Sequence, residues 1–385
     1  MMLRFAPSQA KQMHIQDLRV AMLNYLVASQ KQDRVLLRID DLNKDSNIEG
    51  QDTLIVQILE KFAIKDDSRY HLSEHSNLYQ TLALKLLEEQ KAYMCVCDTP
   101  KCQGGCQEFD SIKVSKIKEE KTPFVIRIDE SNIILDTQAN PTSNFATACA
   151  DMLDDITTVI TTQNNIADIE IQKRIKELLG YENQTTYIYI SDIKLDEYIS
   201  LEWLLKEGFV PDAILNYLLL LGYTNPPKEF FNLPDAVSWY DIENLSHDEV
   251  EFDIDRLKQI NKQHLQNIDD KELSKVFGFA DSDIGKLAKL YLQDSYTISE
   301  LQKYIQDIFA PKTLNKESKK LQEIIFDAPF LETYEEFEEY IIKHSDFTKQ
   351  TLKEPLSLLL TNGNQKVELK DIYPFIKFYL LEVIS

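Results

Sequence analysis

A change of pattern at Pro226-Pro227 divides the chain into two parts with different predicted secondary structure. Before it, segments rich in β-forming residues alternate with segments of helical period. The predicted strands are 3–6, 34–39, 123–128, 155–160 and 186–190, and the predicted helices are 17–31, 166–179 and 211–222. After it, acidic amphipathic helices predominate, as in 334–341, where Tyr334, Phe337 and Ile341 form one apolar stripe. The alternation predicts an α/β fold with a parallel sheet, followed by an all-helical region.

The composition is that of a folded protein of two or three domains. The chain has 385 residues, 43% of them hydrophobic, and only 9 glycines and 12 prolines, which excludes low-complexity and disordered classes. The first residues show no basic region followed by an apolar run, so we expect no signal peptide. The longest apolar stretch, 213–221, is shorter than the ~20 residues that a membrane span needs. We therefore expect a cytoplasmic protein without membrane contact.

The net charge limits the nucleic acids that the chain could bind. There are 64 acidic and 42 basic residues, a formal net charge of −22. Because affinity for phosphates comes mainly from Lys and Arg, binding to DNA or to any nucleic acid regardless of sequence is unfavourable. A local basic face that binds one particular nucleic acid is still compatible with this balance.

The N-terminal segment contains a recognisable signature. It begins Arg4-Phe-Ala-Pro-Ser8 and continues to His14-Ile-Gln16. This resembles the opening of the glutamyl-tRNA synthetases, Arg-Phe-Ala-Pro-Ser-Pro-Thr-Gly, then two residues, then His-Ile-Gly. Similar segments follow in the family's order at 37–41, 47–50, 144–146, 151–156, 202–209, 213–222, 355–361 and 369–374. The resemblance therefore extends over the whole chain.

The resemblance implies an architecture with four segments. It is a Rossmann-type class I synthetase catalytic fold with an inserted zinc-bearing acceptor-end domain, followed by an all-α anticodon-binding domain. Residues 1–90 and 141–226 would form the two halves of the nucleotide-binding domain, the second with the stem-contact region. Residues 91–140 would form the inserted domain and residues 227–385 the helical domain.

Two elements that bind ATP in this family are altered. His14 is kept, but the glycine after it is replaced by Gln16, whose side chain would occupy the room that adenine needs. Residues 9–11, Gln-Ala-Lys, stand where the family has Pro-Thr-Gly. The loop that carries Lys-Met-Ser-Lys-Arg in the family is shorter here, and its single lysine, Lys194, is flanked by acidic residues. Such a loop would repel a triphosphate.

The glutamate pocket that the resemblance implies is also altered. Arg4 and Ser8 match pocket residues, but the pocket's glutamate is shortened to Asp40 and its tyrosine is replaced by Ser143. The arginine that would bind a substrate carboxylate is replaced by Thr161. An insertion that the family carries between 128 and 144 is trimmed.

These losses predict a catalytically inactive member that binds tRNA, an active glutamyl-tRNA synthetase or the tRNA-dependent amidotransferase. Two alternatives stay open. One is an active glutamate–tRNA ligase that uses ATP, magnesium, glutamate and tRNA through Arg4, Ser8, His14 and Asp40. The other keeps the fold but acts on a different substrate with His14 and Asp40.

A cluster of cysteines provides a candidate metal site. Four of the five cysteines, Cys95, Cys97, Cys102 and Cys106, have the spacing C-x-C-x4-C-x3-C, with two glycines in the last interval. Four thiolates on a tight turn suit tetrahedral zinc, and the resemblance implies a zinc knuckle at this place. Free thiols or a redox switch are the alternatives. The fifth cysteine, Cys149, is predicted to lie in the core.

Overall fold

The computed structural model describes residues 1–97 and 99–385. The strands are β1 (Met2–Phe5), β2 (Arg34–Ile39), β3 (Ser68–His71), β4 (Tyr93–Cys95), β5 (Val125–Arg127), β6 (Ile133–Leu135), β7 (Thr158–Thr162), β8 (Thr186–Ile190), β9 (Ile193–Lys194) and β10 (Val250–Glu251). The first nine helices are α1 (Ile15–Lys31), α2 (Gln51–Lys61), α3 (Ser76–Glu88), α4 (Ser111–Glu119), α5 (Ser143–Leu153), α6 (Ile166–Leu178), α7 (Leu201–Glu207), α8 (Pro211–Leu220) and α9 (Leu233–Ala236). The others are α10 (Ile254–Asn267), α11 (Asp270–Val276), α12 (Asp283–Leu290), α13 (Ile298–Phe309), α14 (Lys316–Phe326), α15 (Tyr334–Lys343), α16 (Lys349–Thr361), α17 (Leu369–Ile376) and α18 (Leu380–Val383).

The chain forms two compact units. The first comprises residues 1–201 and 218–252, and the second comprises residues 202–217 and 253–385. All ten strands belong to the first unit, and the second is helical. In the part of the chain that the structure describes, no helix has the length and apolar character needed to cross a membrane.

The first unit is built on a parallel five-stranded sheet with the order β3-β2-β1-β7-β8. Each neighbouring pair in this sheet is parallel, which confirms the sheet predicted from the alternation of strands and helices. The central strand β1 has β2 on one side and β7 on the other, so the chain order reverses between β1 and β7. In open parallel sheets, ligands bind at the carboxyl ends of the strands beside such a reversal.

Two of the predicted strands differ from the structure. The segment predicted as 123–128 contains β5, which lies in a separate antiparallel sheet of order β4-β5-β6. The strand predicted as 155–160 begins later, at Thr158, because Asp155 adopts a left-handed conformation with φ 50° in the turn after α5. The strand β3 was not predicted, since its sequence, Ser-Arg-Tyr-His, has only one β-forming residue.

The cores of the two units follow the periodicity of the sequence. On α1, the side chains of Leu18, Met22 and Leu26 are fully buried. In the second unit, Phe337 and Ile341 of α15 are fully buried and Tyr334 is half-buried, so the predicted apolar stripe faces the core. Cys149 is fully buried on α5, which confirms its predicted core position.

Candidate functional site

A cavity of about 390 Å³ lies at the carboxyl ends of β1 and β7. Its wall is formed by the end of β1, by the segment 11–20 at the start of α1, by the end of β7 and by Leu195. Of the residues predicted to form the site, it brings together Arg4, His14, Gln16 and Thr161. The position at the reversal of strand order is the one at which α/β folds bind ligands.

Gln16 lines this cavity and is hydrogen-bonded to the segment that follows β8. It is the second residue of α1, and its Oε1 accepts a hydrogen bond of 3.0 Å from the backbone N–H of Ile193 in β9. Its Nε2 is buried and has no hydrogen-bond partner in the described part of the chain. The side chain therefore extends from the start of the helix to the segment that follows β8.

His14 and Lys11 lie next to the first turn of α1. The backbone N–H of His14 donates to Asp17 Oδ2 at 2.9 Å, which places a carboxylate at the N-terminus of the helix, where it is favourable. Lys11 Nζ lies 3.5 Å from Asp17 Oδ1. Both His14 and Lys11 are exposed and line the cavity. An anion in the cavity would compete with Asp17 for the Lys11 ammonium and the backbone N–H of His14.

The segment that replaces the family's lysine-rich loop is a short strand. In β9, Ile193 and Lys194 pair in parallel with Val250 and Glu251 of β10. The N–H of Val250 donates to the carbonyl of Asp192, and the N–H of Phe252 to that of Lys194, both at 3.0 Å. The side chain of Lys194 is exposed. The segment is therefore hydrogen-bonded to β10 and to Gln16.

Arg4 belongs to a buried ionic cluster behind the cavity. Its Nε lies 2.7 Å from Oδ1 of the fully buried Asp151, which also lies 2.8 Å from Arg38 Nη2. Lys176 Nζ lies 3.4 Å from Asp151 Oδ2. Burial opposes ionisation of Asp151, but the nearby Arg4, Arg38 and Lys176 hold its pKa well below its usual range. The Nε of Arg4 is therefore paired with a protein carboxylate, while the residue also lines the cavity.

The pKa values of Lys176 and Arg38 are shifted by burial and by the other charges of this cluster. Burial lowers the pKa of Lys176, and Asp151 opposes that effect. Burial acts in the same direction on Arg38, but Asp151, Tyr70 and Asp154 together outweigh it, so the pKa of Arg38 is raised. The cluster was not predicted from the sequence. Its one signal is a charged residue, Arg38, inside the otherwise apolar strand β2.

Asp40, Ser8 and Ser143 lie close to one another. Ser143 Oγ donates to Asp40 Oδ2 at 2.6 Å, and the N–H of Leu42 donates to Oδ1 at 3.3 Å. Ser8 and Asp40 form a parallel β-bridge, and Ser8 Oγ accepts from the N–H of Ala10 at 3.2 Å. In the described structure neither Ser8 nor Asp40 lines the cavity that contains Arg4 and His14.

The four predicted metal ligands form a compact cluster. The Sγ atoms of Cys95, Cys97, Cys102 and Cys106 all lie within 4.8 Å of one another, and those of Cys97 and Cys106 are 3.6 Å apart. Tetrahedral zinc with Zn–S bonds of about 2.3 Å places its sulfur atoms about 3.8 Å apart. All four cysteines are free thiols. The cluster could hold a metal ion with little rearrangement.

The glycines of this knuckle are required by its geometry. A Cβ at Gly104 would lie 3.2 Å from Cys97 Sγ, closer than ordinary contact. Gly105 has φ +61°, in the left-handed region that favours glycine. Glycine is therefore favoured at 104 by the close approach of Cys97 and at 105 by the backbone conformation.

The four thiols differ in acidity. Burial opposes ionisation of Cys102, but backbone N–H groups of Cys106 and Gly104 lower its pKa to about 7. Burial raises the pKa of Cys106 to about 12 and also raises that of Cys95. The backbone N–H of Gln103 lowers the pKa of Cys97 as well, so the turn favours the thiolates of Cys97 and Cys102, the form that binds metal ions.

Comparisons with known proteins agree with this geometry. The family described as tRNA synthetases class I (E and Q), catalytic domain, matches residues 1–122 and 111–259. Glutamate–tRNA ligase 2 of Sulfurovum sp. (strain NBC37-1) is 43% identical over 430 aligned positions that cover 100% of both chains. Glutamate–tRNA ligase 2 of Sulfurimonas denitrificans is 35% identical, again with 100% of both chains covered.

A solved structure has the same fold. The glutamate tRNA ligase of Elizabethkingia meningosepticum superposes with a TM-score of 0.80, covering 100% of this chain and 98% of that one at 18% identity. The predicted class I synthetase fold with a helical C-terminal region is therefore confirmed. Taken with the relatives that align over its full length, the chain belongs to the glutamyl-tRNA synthetase family.

Proposed function

We propose that this member of the family does not form glutamyl-adenylate and acts by binding tRNA or a protein that charges tRNA. The observation that carries the proposal is the hydrogen bond between Gln16 Oε1 and the N–H of Ile193. It joins the start of α1 to β9 across the side of the cavity where the family's glycine would leave room for adenine. A nucleotide would have to break this bond and displace the side chain.

The triphosphate would meet few compensating charges. In class I synthetases the protein mainly positions the reactants and stabilises charge on the phosphates. Here Lys11 lies beside Asp17, and the exposed Lys194 is on a strand that is paired on its far side with β10. Closure over the phosphates would have to break this pairing. These features support the loss of the cationic groups that would hold the ATP phosphates.

The substrate glutamate would lack its partners as well. Arg4 is already bound by Asp151, and Asp40 is bound by Ser143. Thr161, at the position of the family's arginine, accepts a hydrogen bond of 2.9 Å from Asn165 Nδ2 and carries no charge. A carboxylate in a partly buried site without a bidentate cation is unfavourable.

The parts that bind RNA in the family are retained as folded structure. We propose that segment 91–140, with zinc at Cys95, Cys97, Cys102 and Cys106, contacts the acceptor end of tRNA, and that the helical region 227–385 contacts the anticodon arm. The zinc would be structural, since all four ligands come from the protein. Proteins that work with the same tRNA, an active glutamyl-tRNA synthetase or the amidotransferase, are the proposed protein partners. The proposed location is the cytoplasm.

The rival function is that of an active glutamate–tRNA ligase. It is supported by the cavity of about 390 Å³, which Arg4, Lys11 and His14 still line. It is also supported by the relatives' names, glutamate–tRNA ligase. In that case ATP and magnesium would be required, and His14 and Lys194 would contact the nucleotide phosphates.

Aminoacylation separates the two functions. Purified protein is incubated with ATP, magnesium, radiolabelled glutamate and total tRNA, with an active family member in parallel. The proposal predicts no glutamyl-tRNA above background, together with tRNA retention on the immobilised protein or capture of one of the named enzymes. Formation of glutamyl-tRNA at a rate that depends on His14 would establish the rival instead.

A further inference from the structure

A buried arginine lies beside the four-cysteine cluster. Arg127, the last residue of β5, is fully buried. It pairs with Tyr93 of β4, while Val125 pairs with Cys95. Because residues two apart in a strand share a face, Arg127 and Cys95 lie on the same face of this small sheet. Both line a groove of about 610 Å³ next to the knuckle.

The guanidinium binds the backbone that carries the cysteines. Its Nη1 donates to the carbonyls of Pro100 at 2.9 Å and Glu130 at 3.1 Å, and its Nη2 donates to that of Thr99 at 2.7 Å. The N–H of Cys102 donates to the same Glu130 carbonyl at 2.7 Å. One side chain thus links the segment between Cys97 and Cys102 to the turn between β5 and β6.

The charge of Arg127 has no protein counter-ion among residues 1–97 and 99–385. Its acceptors are neutral carbonyl groups, and its buried Nε has no acceptor in that part of the chain. A buried charge is costly unless it is compensated. A divalent ion held by four thiolates has a net charge of −2 and would compensate it. The unpaired cation is therefore explained if the knuckle holds such a centre.

We propose that Arg127 is a positioning residue for the metal site. It fixes the backbone between Cys97 and Cys102 and supplies positive charge to a metal–tetrathiolate centre. The proposal rests on metal binding by the knuckle and is independent of whether the chain forms glutamyl-adenylate.

The first test is zinc affinity, measured by competition with a chromophoric chelator on the full chain. R127M keeps an unbranched side chain and removes the charge and the donors. R127K keeps the charge and an ammonium donor but loses the planar guanidinium that reaches several carbonyls at once. We expect about 10- to 100-fold weaker zinc affinity for R127M, the range seen when partners of metal ligands are lost. R127K should be weakened by a smaller factor, about 10-fold. The exposed Lys118 on α4 provides the control, and K118M should bind zinc like the unmodified protein.

A second measurement excludes a role in folding alone. Thermal unfolding is recorded for the unmodified protein and R127M, each with zinc and after removal of zinc by a chelator. We expect R127M to lower the Tm more in the zinc-loaded protein than in the stripped protein, where it removes an uncompensated charge. An equal decrease in both states, or unchanged zinc affinity, would overturn the proposal. If R127M does not fold, R127K decides: zinc affinity equal to that of the unmodified protein would overturn it.

Discussion

Asp40 and Ser143 form a hydrogen bond of 2.6 Å between the carboxylate Oδ2 and the hydroxyl Oγ. By resemblance, each stands where the family has a larger polar residue of the glutamate pocket. The shorter side chains bind each other, so the two substitutions compensate locally. This satisfies the polar groups without a ligand, whereas an isolated substitution would have left one of them unpaired.

The bond between Gln16 and Ile193 provides the first prediction. Gln16→Ala removes the acceptor but keeps a good helix former, so the loss is confined to the hydrogen bond. We expect hydrogen exchange at the Ile193 amide to accelerate and the free energy of unfolding to fall by about 0.5–1.5 kcal/mol. Amide exchange by NMR and urea denaturation measure the two effects.

Gln12→Ala is the matched control for that experiment. Gln12 is exposed just before α1, and its replacement should change neither quantity. Unchanged exchange at the Ile193 amide in Gln16→Ala would show that the hydrogen bond between Gln16 and Ile193 does not form in solution.

The buried cluster around Asp151 provides a prediction about stability. Asp151→Asn leaves Arg4, Arg38 and Lys176 without their shared carboxylate. Removal of one partner from a buried ionic group costs about 3–5 kcal/mol. Urea denaturation at neutral pH should show this loss, whereas Asp45→Asn, at an exposed position, should change stability by less than about 0.5 kcal/mol. A loss for Asp151→Asn as small as that of the control would contradict the central role of this carboxylate.

The same residue predicts a dependence on pH. The pKa of Asp151 is lower in the folded protein than in the unfolded chain. Its contribution to stability is therefore complete above the unfolded pKa of about 4 and is lost as the pH falls below it. Below about pH 4 the unmodified protein should lose stability more steeply than Asp151→Asn, by up to about 1.4 kcal/mol per pH unit. If the free energy of unfolding falls equally steeply with pH in the two proteins, the lowered pKa of Asp151 is contradicted.

The cysteine cluster predicts a stoichiometry and a response to chelators. The purified protein should contain about one zinc per chain, and its removal should lower the Tm, because binding contributes to folding. Cys102→Ser should lose the zinc. Cys149→Ala, which removes a buried thiol outside the cluster, should retain it. Elemental analysis of the three proteins tests this, and zinc retained in Cys102→Ser would exclude the four-thiolate site.

The sequence predicted the features that depend on local pattern. The spacing of the four cysteines indicated their convergence, and the periodicity of α1 and α15 indicated their buried faces. It could not predict which groups pair across long separations. Asp151 binds Arg4 and Arg38 only because β1, β2 and α5 meet in the folded sheet, and Asp40 meets Ser143 for the same reason. Family resemblance predicted one pocket for Arg4, Ser8 and Asp40. It could not predict the protein groups that these side chains contact in this chain.

The measurement that tests the account most directly is calorimetric titration of the protein with ATP and magnesium, beside an active family member. The Gln16 side chain in the cavity wall, held by its hydrogen bond to Ile193, predicts no heat of binding at millimolar ATP for this chain, with clear binding for the active protein. Saturable binding of ATP by this chain would contradict the account, and glutamate-dependent pyrophosphate exchange in the presence of tRNA would then establish it as a ligase.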